Sequence, residues 1–192
     1  EDGLVTSDSY TAVFYPGAGY TNALDGVGQV VVPITHAILR MIIKSDQASA
    51  PWFAPAGSLR GKIDNLIKIG YVDRTSGKFY SIGTDQGLRD LLYANNVNPV
   101  SVFPTEGILN YGNHTMQATA TALDRINVAR LINYLRYELE QLAKPLVFEP
   151  NDTVTRNQAT NAVSGLLNNI KAQRGVYDYL VVCDTTNNTP AT

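Results

Sequence analysis

Cysteine occurs once in the 192 residues, at Cys183, so no disulfide closes within the chain and zinc motifs built on cysteine pairs are absent. Such sparing use fits a reducing compartment. Histidine occurs twice, at His36 and His114, in separate segments without a cysteine or carboxylate at metal-ligand spacing. Neither a metal site nor a cofactor is implied. Charged residues make up 17% of the chain, below the roughly 25% of typical soluble domains. The 15 Lys and Arg nearly balance the 17 Asp and Glu, for a formal net charge of −2. General nucleic-acid binding, which needs a basic excess, is therefore not expected. No basic segment followed by an apolar run opens the sequence, and no apolar run is long enough to span a bilayer. A signal peptide and membrane insertion are thus not indicated. The absence of an initiator methionine predicts a portion of a longer protein.

Catalytic patterns are equally sparse. No Gly-x-Ser-x-Gly elbow exists, and Cys183 sits inside an apolar segment, where a thiol is structural rather than nucleophilic. Gly17-Ala18-Gly19 and Gly26-Val27-Gly28 lack the third glycine or the lysine of a phosphate-binding loop. Glu138 and Glu140 fall about 200° apart around a helix and do not converge on one substrate. Three Asn-x-Thr triplets, at Asn113, Asn151 and Asn187, match the glycosylation pattern but nothing indicates secretion.

What is present is a 44% hydrophobic chain long enough to bury a core, which excludes the disordered class. At roughly 150 residues per domain its length predicts one domain, or one domain with an attached piece. Tyr10 to Tyr15 has strand character and ends at the breaker Pro16-Gly17-Ala18-Gly19. Val30 to Val32 lead to Pro33, which suits the first position of a helix carrying Ala37, Ile38, Met41 and Ile42 on one face. Pro51-Trp52-Phe53-Ala54-Pro55-Ala56-Gly57 reads as an extended connector, with a unit boundary and hinge at Ala50 or Pro51.

Beyond it, Ile63 to Tyr71 fits strand and short helix equally, and Arg74 to Gly77 is a turn. Thr84 or Asp85 caps a helix through Leu88, Leu91 and Leu92, followed by strands around Val100–Val102 and Ile108–Tyr111. A helix capped by Asp124 and ended by Pro145 carries Val128, Leu131, Ile132, Leu135, Leu139 and Leu142 in one stripe. Arg125 and Arg136 share a face of it. A second helix spans about Thr153 to Gln173, with Asn151 as a cap and Gly175 at its C′ position. Tyr177 to Cys183 reads as a strand, and Asp184 to Thr192 as turn or tail. Together these predict an α/β (α+β) fold, a mixed sheet with flanking helices.

Several segments resemble the contractile tail sheath proteins of tailed bacteriophages, the T-even-like myophages above all. They are Pro55-Ala56-Gly57 with Arg60-Gly61, Val97-Asn98-Pro99-Val100, Glu106-Gly107 with Tyr111-Gly112 and Thr115, and above all Asp124 to Leu131 and Tyr177 to Pro190. Val32-Pro33 with the helix after it, and Phe148-Glu149-Pro150-Asn151, also fit. Their order and spacing hold over nearly the whole chain. One departure is Ala129-Arg130, where the family usually carries two arginines.

The resemblance implies a structural protein of the virion, assembled in the host bacterial cytoplasm, whose copies stack as hexameric rings around the tail tube and contract to drive it through the host envelope. It implies the end of a middle domain at 1–50 and an inner, tube-facing domain at 51–192 without its C-terminal arm. Implied partners are other sheath subunits, the tail tube protein, and the baseplate and tail terminator proteins, with no direct contact to nucleic acid. Tyr177, Tyr179, Val181 and Cys183 are then expected on a strand that receives neighbours' arms, and Arg125, Arg130 and Arg136 towards the tube. The rival readings are an enzyme fragment without a recognisable motif, opposed by the scarcity of His and Cys, and a nucleic-acid or peptide-binding module, opposed by the near-neutral charge.

Overall fold

The computed structural model describes residues 7–24 and 26–188. Among them, in chain order, lie β1 (Val13–Tyr15), β2 (Ala18–Asn22), β3 (Gln29–Pro33), α1 (Ile34–Ala48), α2 (Gly57–Arg60), β4 (Lys62–Ile63), β5 (Lys68–Val72), β6 (Phe79–Ser81), α3 (Gln86–Ala94), β7 (Val97–Phe103), β8 (Gly107–Asn110), α4 (Ile126–Ala143) and α5 (Thr153–Ala172). The mixed α/β class holds. Two units are distinguished, residues 1–130 and 131–192.

Unit 1 contains two four-stranded sheets, ordered β1-β7-β8-β4 and β3-β2-β5-β6. β1 lies parallel to β7, with Val13 opposite Val97 and Tyr15 opposite Pro99; the other pairs are antiparallel. Ile34, Ala37, Ile38 and Met41 recur every three or four residues along α1 and bury one face of it. That face meets Ile63, Leu66 and Ile69 around β4 and β5, and Val100 and Ile108 of β7 and β8, so one helix serves the cores of both sheets. Burying each Ile, Leu, Val or Met of this set stabilises the fold by about 1.5–3 kcal/mol. Asp85 caps α3 as expected, its Oδ1 accepting from the Leu88 N–H at 2.8 Å.

Several expectations change. The boundary at residue 50 is not where the chain divides, because both sheets combine strands from before and after it. The connector is held rather than hinged: Trp52 is buried, Arg60 donates from Nε to the Ala54 carbonyl at 3.1 Å, and its guanidinium covers the Phe53 ring. Ala18 and Gly19 belong to β2 rather than to a breaker. Glycine suits this strand position because a Cβ at residue 19 would press on the Leu66 side chain at 2.6 Å. Pro33 closes β3 and stands at the N-cap of α1, one residue earlier than predicted. The ambiguous stretch 63–71 resolves into β4 and β5. β6, whose three residues are too short for a periodic signal, was not predicted.

Unit 2 holds the remainder of α4 from Leu131, then α5 and the segment after it. Asp152, not Asn151, caps α5, its Oδ1 accepting from the Thr155 N–H at 2.8 Å. Asn151 instead accepts from Arg156 Nη1 through its side chain at 2.9 Å. The helix ends in a Schellman motif, with Gly175 N–H on the Ile170 carbonyl at 2.8 Å and Arg174 N–H on the Lys171 carbonyl at 3.0 Å. The left-handed residue at C′ is Arg174, at φ 65°, and Gly175 sits one place later than predicted.

Residues 177–183 are not a strand in this chain, since no ladder reaches them among the described residues. Their β-branched and aromatic composition suits extended backbone, but a strand also needs a partner. The alternation of burial survives: Tyr179, Val181 and Cys183 are half-buried, while Leu180 and Val182 are exposed.

Candidate functional site

The segments that carried the resemblance converge on two buried asparagines of unit 1. Asn98 of β7, fully buried, donates from Nδ2 to the Val13 and His114 carbonyls at 2.9 and 2.8 Å. Its Oδ1 accepts from the His114 N–H at 2.7 Å. Asn110 of β8, also fully buried, donates to the Pro55 and Gly112 carbonyls at 2.8 and 3.0 Å and accepts from the Gly112 N–H at 3.3 Å. Asn98 therefore ties the starts of β1 and β7 to the His114 backbone, and Asn110 ties the end of β8 to the irregular backbone at Pro55 and Gly112. Gly112 is required there, because a Cβ would lie 2.6 Å from Asn98 Oδ1 and 2.7 Å from its Cα. At Gly61 a Cβ would meet the Asn110 carbonyl oxygen at 2.5 Å.

This frame sets the start of α4. Thr115 and Asn113 bind backbone just before the helix, through Thr115 N–H to the Asp124 carbonyl and Ile126 N–H to the Asn113 carbonyl, both at 3.0 Å. Asn127 accepts from Asn113 Nδ2 at 2.7 Å and donates to the Trp52 carbonyl at 3.1 Å. Arg130 is engaged inside unit 1, in an ion pair with Asp46 of α1. Asn98 and Asn127 were legible as motif residues but not as a frame, because their partners are remote in sequence, and Asn110 carried no signal of its own.

Arg125 does not share a helical face with Arg136, because it precedes α4. Its backbone is extended, at φ −112° and ψ 131°, and forms an isolated antiparallel bridge with His114. The exposed guanidinium donates to the Tyr93 hydroxyl at 2.8 Å and pairs with Asp124 at 3.1 Å. His114 packs edge-on against Tyr93, and its Nδ1 lies 2.9 Å from Asn96 Oδ1. Burial, with the Arg125 charge second, holds the imidazole pKa below its ordinary value. Arg136 is exposed on α4 in unit 2, beside Ile132, Leu135 and Leu139.

In unit 2 the segment 177–183 is tied to α5 by side-chain hydrogen bonds. The Tyr179 hydroxyl donates to Asn168 Oδ1 at 2.6 Å, and Lys171 Nζ donates to Asp178 at 3.0 Å. Tyr177 and Leu180 are almost completely exposed. Among the described residues no group of three His, Cys, Asp or Glu side chains is arranged to hold a metal ion.

The fold is similar to that of contractile sheaths in solved structures. The anti-feeding prophage helical sheath in its contracted state superposes with a TM-score of 0.72 at 20% identity, covering 90% of this chain and 43% of that one. The sheath complex of an extracellular contractile injection system in its contracted state gives 0.69 at 18%, covering 92% and 44%. In sequence, residues 118–192 match the phage tail sheath C-terminal domain. The tail sheath protein of Enterobacteria phage T4 is 38% identical over 160 residues, covering 83% of this chain and 23% of that protein. That of Vibrio phage KVP40 is 38% identical over 157 residues, covering 82% and 22%. In sequence the chain is similar to part of the phage tail sheath proteins, with the C-terminal sheath domain matched over residues 118–192. It spans less than a quarter of the length of these relatives.

Proposed function

We propose that this chain is part of a contractile tail sheath subunit whose copies polymerise as stacked hexameric rings around a tail tube and shorten on triggering to drive the tube through the host envelope. Its place is the virion tail, against the tube and, at the two ends of the sheath, the baseplate and the terminator. The observation that carries this reading is the segment 177–183, in which half-buried and exposed side chains alternate from Tyr179 to Cys183 yet no strand lies beside it among the described residues. In the assembled sheath Tyr177, Tyr179, Val181 and Cys183 belong to the sheet that receives neighbours' arms.

The energetics favour a polymer over a dimer. A strand added along five residues makes four or five backbone bonds, each contributing roughly 1 kcal/mol net. Association costs about 4–15 kcal/mol in lost freedom. One junction is marginal; many in one lattice, where effective concentration is high, are not. Backbone arms also let rigid subunits rotate without disconnecting. Arg125 and Arg136 remain as tube-facing groups, whereas Arg130 is committed to Asp46. Electron microscopy of the protein expressed in full tests the proposal: striated tubes are expected, and persistent monomers would overturn it.

A further inference from the structure

The turn between α4 and α5 presents Phe148 at 98% exposure, flanked by Val147 at 66% and the exposed Glu149. A phenylalanine this bare at the tip of a turn has no role in the fold of its own chain. The turn is nonetheless ordered from within. Glu149 N–H donates to the Leu146 carbonyl at 3.2 Å, Val147 N–H reaches the Lys144 carbonyl at 3.5 Å, and prolines 145 and 150 bracket it. Pre-ordering of this kind lowers the entropy lost on docking, and a protruding aromatic is the usual anchor of an interface.

Unit 1 carries a notch of complementary chemistry, about 220 Å³ in volume. Met41, Ala48 and the 82% exposed Leu59 form its apolar part. Lys44, Arg60 and Lys62 line it against a single carboxylate, Asp64, which is taken by Lys44. Arg60 is turned to the Ala54 carbonyl and Phe53, so Lys62 is the cation at the notch left without an ion-pair partner among the described residues. The Ser45 hydroxyl, on a residue 4% exposed that also lines the notch, has no hydrogen-bond partner. An apolar cavity of roughly 150 Å³ holds a benzene ring, so a phenyl group fits this one with its neighbouring carboxylate at the cationic rim.

We propose that Phe148 and Glu149 of one copy dock into the Leu59–Lys62 notch of a second copy. The inference rests on the reading of the chain as a self-assembling subunit and adds a particular contact to it. The two patches differ, so the contact is heterologous and propagates into rings or open helices instead of stopping at a dimer.

The test is a concentration series of the isotopically labelled 192-residue chain followed by amide chemical shifts. Ser45, Leu59 and Lys62 should move along one saturation curve with Phe148 and Glu149. Lys62→Glu and Glu149→Lys should each weaken that curve about tenfold or more, and the two together should restore it. Phe148→Ser should abolish it. Each substituted side chain is on the surface, so the fold survives. Shifts that are absent up to about 1 mM, that do not depend on concentration, or that ignore the variants would overturn the contact. Tube formation separates the two readings: tubes that form equally well with Lys62→Glu remove this contact alone, and wild-type protein that forms none removes the sheath reading itself.

Discussion

Arg130, in the second turn of α4, forms an ion pair with Asp46, in the last turn of α1, across 84 positions of sequence. Both side chains are mostly buried, and both carry a further buried atom, Arg130 Nη1 and Asp46 Oδ1, outside any hydrogen bond. Removing one partner leaves the other charge desolvated. Arg130→Ala is therefore expected to cost about 2 kcal/mol, below the roughly 3–5 kcal/mol of a fully buried pair because some water reaches both groups. In a double-mutant cycle with Asp46→Ala, measured by denaturant unfolding, the double variant should lose less than the sum of the singles.

Asn98→Ala removes the amide that serves Val13 and His114, leaving two carbonyls and one N–H unpaired in the interior. At about 1–3 kcal/mol for each buried group left unsatisfied, the expected loss is about 3 kcal/mol or more. Asn98→Asp keeps the acceptor for the His114 N–H but not the donors, and should not rescue stability. Equilibrium unfolding of both variants checks this.

Arg174 occupies left-handed backbone that glycine adopts without a steric cost. Arg174→Gly should stabilise the end of α5 by about 1 kcal/mol. Hydrogen exchange at Arg174 and Gly175, whose N–H groups close the Schellman motif, reports it: slower exchange is expected, and unchanged exchange would contradict the motif's role.

His114 yields a pH dependence. Its folded pKa lies below the ordinary 6.5, through burial first and Arg125 second. Below 6.5 the unfolded chain binds a proton that the folded chain does not, so stability is full above that pH and declines as pH falls towards the folded value. A thermal-melt series from pH 8 to 5, roughly the range of histidine titration, should show this decline, and His114→Gln should flatten it.

Assembly should protect the backbone amides of residues 177–183, which have no ladder among the described residues. Hydrogen exchange on assembled and free protein compares them directly, and equal protection would remove this segment from the receiving sheet. Reversing the charge at Arg125 and Arg136 together should impair assembly on the tube. Assembly unaffected by both reversals would exclude them as tube contacts.

Legibility followed the range of each interaction. The apolar face of α1 and the Asp85 cap of α3 depend on residues within a turn or two, and both stand where periodicity and side-chain chemistry predict them. Near misses were also local. Asn151 and Asp152 are both good caps, and only backbone geometry decided that Asp152 receives the Thr155 N–H. Arg174 at a position that favours glycine runs against propensity, so Gly175 was the natural prediction. For Arg125, helical spacing assumed a helix that begins directly after an Asp124 cap, whereas α4 begins one residue later, at Ile126.

By itself the sequence determined the mixed α/β class, the long helices and, through motifs in a particular order, the likeness to tail sheath proteins. Those properties are written in local periodicity or in residue identity. Tertiary structure alone decided that the chain divides after Arg130 rather than at Ala50, that Arg130 turns inward to Asp46, and that Asn98 and Asn110 hold a frame. It also decided that 177–183 has no ladder among the described residues. For the ion pair and the asparagine frame the deciding groups sit mostly far away in sequence, and no local pattern specifies which backbone or charge the fold will bring alongside.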